Sequence, residues 1–94
     1  MATSEKAIVA KGMAEARRLG FFVLKVHGGQ YEMACIPDVL AIKNGMAFWI
    51  EFKRPGEGPT KLQIHRMKQL EEAGCRTTVA FCAADVRAFL ESVA

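Results

Sequence analysis

Apolar positions recur at helical spacing over residues 5–19, where Ile8, Val9, Gly12, Ala16 and Leu19 form one stripe at about 100° per residue. Thr3 or Ser4 can cap that helix, and Gly20 can close it as the residue just past its end. The period then changes. Residues 21–27 (FFVLKVH) are rich in aromatic and β-branched side chains and read as a strand, with Gly28-Gly29 opening a loop. Residues 38–43 and 46–53 flank Asn44-Gly45, a hairpin signal because a type I′ turn needs positive φ at both central positions. The next stretch, RPGEGPT, is made of turn residues. Thr60 caps a helix expected over 61–73, ended by Gly74. A fourth strand is expected over 77–82 and a short last helix over 85–93. The order is α-β-β-β-α-β-α in one domain, 1–94, without repeats or linkers.

Both faces of the hairpin are mostly apolar: Leu40, Ile42, Ala47 and Trp49 on one, Val39, Ala41, Phe48 and Ile50 on the other. A strand apolar on both faces is covered on both, so the expected fold is α/β, a mixed four-stranded sheet flanked by helices on both faces. The two-residue loop pairs Lys43 with Met46, and the same register carried outward opposes Leu40 to Trp49 and Asp38 to Glu51. Lys53 shares that face and sits diagonal to Asp38. Two carboxylates so placed repel by roughly 1–4 kcal/mol, depending on the effective dielectric. A hard cation with oxygen ligands reverses that sign. A one-residue slip of the register would put the two acids on opposite faces.

Two helices point further polar groups at the same place. Glu5 projects onto the middle of the first apolar stripe, although a first-turn acid is also favoured by the helix dipole. On the second helix, Leu62, Met67, Leu70 and Ala73 define the apolar arc, and Gln63 lies inside it, where it needs polar partners. Glu5, Asp38, Glu51, Lys53 and Gln63 therefore converge from separate elements. A purely structural ion-pair network is the competing account, and its desolvation cost argues against it.

Composition narrows the class. The chain is 51% hydrophobic and 24% charged, which excludes disorder, and no run approaches a bilayer span. Without a signal-peptide core at the N-terminus, it is expected to be intracellular, with no membrane partner. Cys35, Cys75 and Cys82 form an odd set without C-x-x-C spacing and read as thiols in a reducing compartment. A net charge of +3 is compatible with a polyanionic partner.

Pro37-Asp38 followed by Glu51-Phe52-Lys53 is the pattern of the PD-(D/E)xK nuclease superfamily. The chain resembles the virus-type replication-repair nuclease (VRR-NUC) family over nearly its whole length. The likeness rests on the early helical Glu5, the strand end Val26-His27-Gly28-Gly29, the segment Cys35-Ile36-Pro37-Asp38, the run from Ile50 to Pro55 (IEFKRP) and the helical Gln63. Two positions depart: Cys35 stands where the family commonly has Gly, and Met67 stands where related nucleases have a Tyr four residues after the Gln. The resemblance implies a restriction-endonuclease-like core and phosphodiester hydrolysis dependent on Mg²⁺ or Mn²⁺. It also implies homodimers acting on branched double-stranded DNA such as four-way junctions, in the cytoplasm of a bacterial host. Asp38, Glu51 and the Phe52 backbone carbonyl would hold the metal, and Glu5 would assist, in part through water. Lys53 would act on the attacking water, and Gln63 would fix Lys53 or the phosphate.

Lys25, Arg54, Lys61 and Arg66 are candidate contacts to the DNA backbone, each equally readable as a solvated charge. Phe89 and Leu90 on the last helix are expected to be exposed and available to a dimer interface. Three other accounts remain: a branched-DNA-binding module that does not cut, an RNA-directed nuclease on the same fold, and a small regulatory α/β domain. The last leaves the inward-facing acids unexplained.

Overall fold

The computed structural model describes residues 3–26 and 33–92. Ser4, rather than Thr3, caps helix α1 (Glu5–Arg18), its Oγ accepting the Ala7 N–H at 3.1 Å. Leu19 is the C-cap and Gly20 takes φ +90°, the left-handed conformation that ends a helix cheaply only at glycine. Lys43 Nζ donates to the Leu19 carbonyl at 3.0 Å and lies 5.2 Å from the centre of the Phe21 ring. That places a cation at the negative end of α1.

Strand β1 (Phe22–Lys25) is shorter than its apolar run. Val26 follows it with its N–H donated to the Asp38 carbonyl at 2.8 Å. His27 and Gly28-Gly29 lie outside the described residues. Strands β2 (Val39–Lys43) and β3 (Met46–Phe52) form the expected hairpin, with Asn44 at φ 53° and Gly45 at φ 76°. Its register pairs Lys43 with Met46, Leu40 with Trp49 and Val39 with Ile50. Helix α2 (Lys61–Glu72) and strand β4 (Arg76–Ala80) follow. Helix α3 (Ala83–Ser92) starts earlier than expected because the Asp85 carboxylate turns back to accept the Phe81 N–H at 2.9 Å.

The sheet order is β1-β2-β3-β4, antiparallel except for the parallel β3–β4 pair. The sheet is mixed because the β3–α2–β4 crossover returns the chain in its original direction. Helices α1 and α3 cover one face. Val39, Ala41, Phe48, Ile50, Phe52 and Ala80 are buried there against Ile8, Val9, Ala16, Val86 and Leu90. Each such side chain contributes roughly 1.5–3 kcal/mol when fully buried. Phe48 meets Phe21 and Phe89 edge-on, with ring centres 5.4 and 5.9 Å apart. Leu90 is therefore wholly buried and Phe89 half-buried, contrary to the exposure expected of them, because the helical period turns both toward the sheet. α1 comes so close that a Cβ on Gly12 would stand 2.5 Å from Phe52 Cζ, so this position admits only glycine without movement.

Helix α2 lies on the other face but covers it only in part. None of its residues is fully buried, and the crossover places it beside β4. On the side away from it Phe22 is 67% exposed and Leu24 47%, while Leu40, Ile42 and Trp49 are half-buried. The helices thus flank both faces, but they bury only one.

Candidate active site

The β2–β3 ladder ends at Val39 and Ile50, one pair short of Asp38 and Glu51. Val39 and Ile50 point into the α1–α3 core. Alternation along each strand therefore turns Asp38 and Glu51 to the α2 side. The Asp38 carboxylate closes the ladder itself: its Oδ2 accepts the Phe52 N–H at 2.9 Å, the place a strand carbonyl would take. The N–H and C=O of one residue leave an extended strand on the same side, so the Phe52 carbonyl also faces Asp38. Lys53 turns its N–H the opposite way, to the Ala80 carbonyl at 3.1 Å.

Glu51 is 3% exposed, and among the described residues it is the buried charged side chain. Burial, the charge of Asp38 and a hydrogen bond with Asp38 together push its carboxyl up from 4.5 to about 8. The Lys53 ammonium opposes this, and Glu5 adds a smaller push in the same direction as Asp38. At neutral pH the pair thus keeps a proton that two exposed carboxylates would have lost. A divalent cation would take over the proton's role, so these donors fit one.

Gln63 reaches the same spot from α2. It is the third residue of a capping box: its N–H donates to Thr60 Oγ1 at 3.2 Å, and its Oε1 accepts the Thr60 N–H at 2.9 Å. With Oε1 so engaged, the amide nitrogen is left to face the site, and Nε2 donates to Glu51 Oε2 at 3.3 Å. Thr60, expected from the sequence only as a helix cap, therefore also orients Gln63. The T-x-x-Q spacing carried that signal. Gln63 bonds to Glu51, whereas the expected partners were Lys53 or a phosphate.

Glu5 opens α1 and is exposed, so it acts on Glu51 by charge. Among the described residues no group of three acidic, imidazole or thiol side chains is close enough to enclose an ion. Asp38, Glu51 and the Phe52 carbonyl lie together and could hold an ion, and Glu5 stands further out.

The candidate DNA contacts scatter. Arg54 is paired with Glu57 at 2.5 Å, and Lys61 is exposed in the first turn of α2. Lys25 pairs with Val39 in the ladder and so projects on the sheet face opposite Glu51. Arg66 is already engaged: Nε donates to the Ala34 carbonyl at 3.1 Å and Nη1 to Gln69 Oε1 at 2.9 Å. It ties α2 to the segment leading into Asp38. In that segment Cys35 takes φ +63°, a left-handed conformation that favours glycine.

A solved structure described as "VRR_NUC domain" superposes on this chain with a TM-score of 0.79 at 21% identity, covering 96% of this chain and 97% of its own. The chain has the VRR_NUC fold. No protein-family model matches the sequence, and no curated relative does. In this VRR_NUC fold the element order α-β-β-β-α-β-α and the mixed sheet agree with those expected from the sequence. No described helix is long and apolar enough to cross a membrane.

Proposed function

We propose that this chain is a divalent-metal-dependent, structure-selective DNA endonuclease that hydrolyses phosphodiester bonds in branched DNA such as four-way junctions. Its setting would be phage or bacterial replication and repair, in the host cytoplasm. The observation that carries the reading is Glu51, buried beside Asp38 with its carboxyl raised to about 8, where a sheet would be more stable with an apolar pair. The structural likeness to a VRR_NUC domain supports the same class.

Asp38, Glu51 and the Phe52 carbonyl would hold Mg²⁺ or Mn²⁺, with Glu5 reaching it through water. The cation supplies Lewis-acid charge to the phosphate and to the attacking water. Lys53 orients that water, helps remove its proton and offsets the charge that builds on the phosphorane. Gln63 holds the Glu51 carboxylate in one rotamer. Arg54 and Lys61, on either side of the loop after β3, are the phosphate contacts nearest this end of the sheet. Lys25 and Arg66 would contribute only by reaching DNA outside it.

A homodimer completes the proposal. Phe22 and Leu24 on β1, and Leu62 and Ile64 on α2, leave apolar side chains exposed that a second copy would cover. Two copies joined there would present two sites to a two-fold-symmetric junction.

The test is cleavage of a labelled four-way junction beside a matched linear duplex, in Mn²⁺ and in EDTA, with Lys53→Ala as control. Metal-dependent cutting of the junction that Lys53→Ala abolishes is the expected result. Tight junction binding without cutting in Mn²⁺ would leave a binding module in place of an enzyme.

A further inference from the structure

We propose that a cavity on the α1 side of the strand end receives an unpaired nucleobase of the DNA lying across the site, an inference that rests on the nuclease reading above. The cavity, about 690 Å³, opens between the first turns of α1, the loop after β3 and the β4–α3 junction. Ile8, Pro55, Phe81 and Cys82 make its walls predominantly apolar, and Lys11 and Arg54 add two cations. Pockets that hold ligands of roughly this size and larger span about 300–1,000 Å³.

Its position follows from residues already placed. Ile8 is one turn of α1 beyond Glu5, Arg54 follows Lys53, and Phe81 follows Ala80, whose carbonyl takes the Lys53 N–H. A helical turn rises about 5.4 Å and a strand residue about 3.3 Å. The cavity therefore borders the strand end that carries Lys53, on the α1 side of the sheet.

Its chemistry selects the occupant. A nucleobase presents two apolar faces and is joined to a phosphate on either side. Here half-buried Phe81 offers such a face its ring, above the buried Ile8, while Lys11 and Arg54 meet phosphate. Arg54 is paired with Glu57, another residue of the lining, an exposed pair that a phosphate can open. A base inside a duplex has both faces stacked and cannot enter, so the cavity prefers nucleotides that have left the stack, as at a bulge, a flap or the frayed centre of a junction. The consequence is selectivity for branched DNA built into one protomer, separate from any geometry a dimer imposes.

The experiment measures binding by fluorescence anisotropy in Ca²⁺, using duplexes with one bulged thymidine, the same bulge lacking its base, and no bulge. The base-containing bulge should bind about tenfold tighter than the abasic one, within the range that stacking on an aromatic ring delivers. Cys82→Trp, at an exposed position, fills the cavity and should bring that ratio close to one without changing affinity for the linear duplex. Phe81→Leu keeps the wall apolar but removes the ring, and should reduce the ratio in the same direction if the first variant folds poorly. Equal binding of the two bulges by the unmodified protein, or a ratio that both variants leave intact, overturns the cavity assignment while the nuclease reading stands. Failure to bind DNA of any form overturns both.

Discussion

Replacing Glu51 with glutamine should stabilise the metal-free protein at neutral and alkaline pH. Glutamine imitates the protonated carboxyl: it keeps the bond to Gln63 and leaves Asp38 on the Phe52 N–H, but it cannot ionise. The unmodified residue ionises at its ordinary 4.5 in the unfolded chain and near 8 in the folded one. Between those values the folded state holds a proton that the unfolded state has lost, so stability falls as pH rises through that window. It is unaffected by this group below about 4.5 and fully penalised above about 8. At about 1.4 kcal/mol per pH unit the penalty reaches roughly 3 kcal/mol at neutrality and about 5 kcal/mol at its limit. That is a large share of the ~5–15 kcal/mol by which domains of this kind are stable. Urea unfolding followed through Trp49, the single tryptophan, gives the stability at pH 5, 7 and 9 in EDTA. The difference between the two proteins cancels every other titrating group, so the glutamine variant should gain on the parent by several kcal/mol from pH 5 to 9. Mn²⁺ should then restore the parent and leave the variant unchanged, since ion binding replaces the proton. Parallel pH profiles for the two proteins would show that Glu51 ionises normally, and the physical case for a cation site would fail.

Other outcomes follow from single contacts. Gly12→Ala drives a Cβ into the Phe52 ring and should cost about 1–3 kcal/mol, read as a lower urea midpoint, with cleavage falling too because Lys53 follows Phe52. Cys35→Gly relieves a left-handed residue and should raise stability by about 1 kcal/mol, measured as a rise in Tm. Gln63→Ala removes half of the capping box and the bond to Glu51, costing about 1 kcal/mol in unfolding experiments and lowering kcat more than it raises KM. Phe22→Lys puts a charge on the open sheet face and should convert a dimer to a monomer in sedimentation while leaving the fold intact.

The hairpin shows how far short-range rules reach. Asn44-Gly45 sets a two-residue turn and the turn sets the register, both local and both found, with the ladder ending at Val39 and Ile50, one pair short of Asp38 and Glu51. The helix limits follow the same way from Ser4, Gly20, Thr60 and Gly74, because caps answer to backbone groups only a few residues away. Apolar spacing also found the α1 stripe that is buried.

What the tertiary structure decided are the quantities that depend on residues distant in sequence. Strand alternation showed that the two sheet faces were apolar, but not that α2 would sit beside β4 and leave Phe22 and Leu24 open. Nor did helical period alone predict that Leu90 would be buried, because it says which residues share a face and not which surface that face meets. Sequence brought Gln63 toward the site. Only the folded arrangement showed Thr60 holding its oxygen so that its nitrogen meets Glu51. Residue identities and spacing thus fixed the local geometry and the choice of chemistry. Burial, which raises Glu51 to about 8, is a property of everything packed around it and comes into being only when the chain folds.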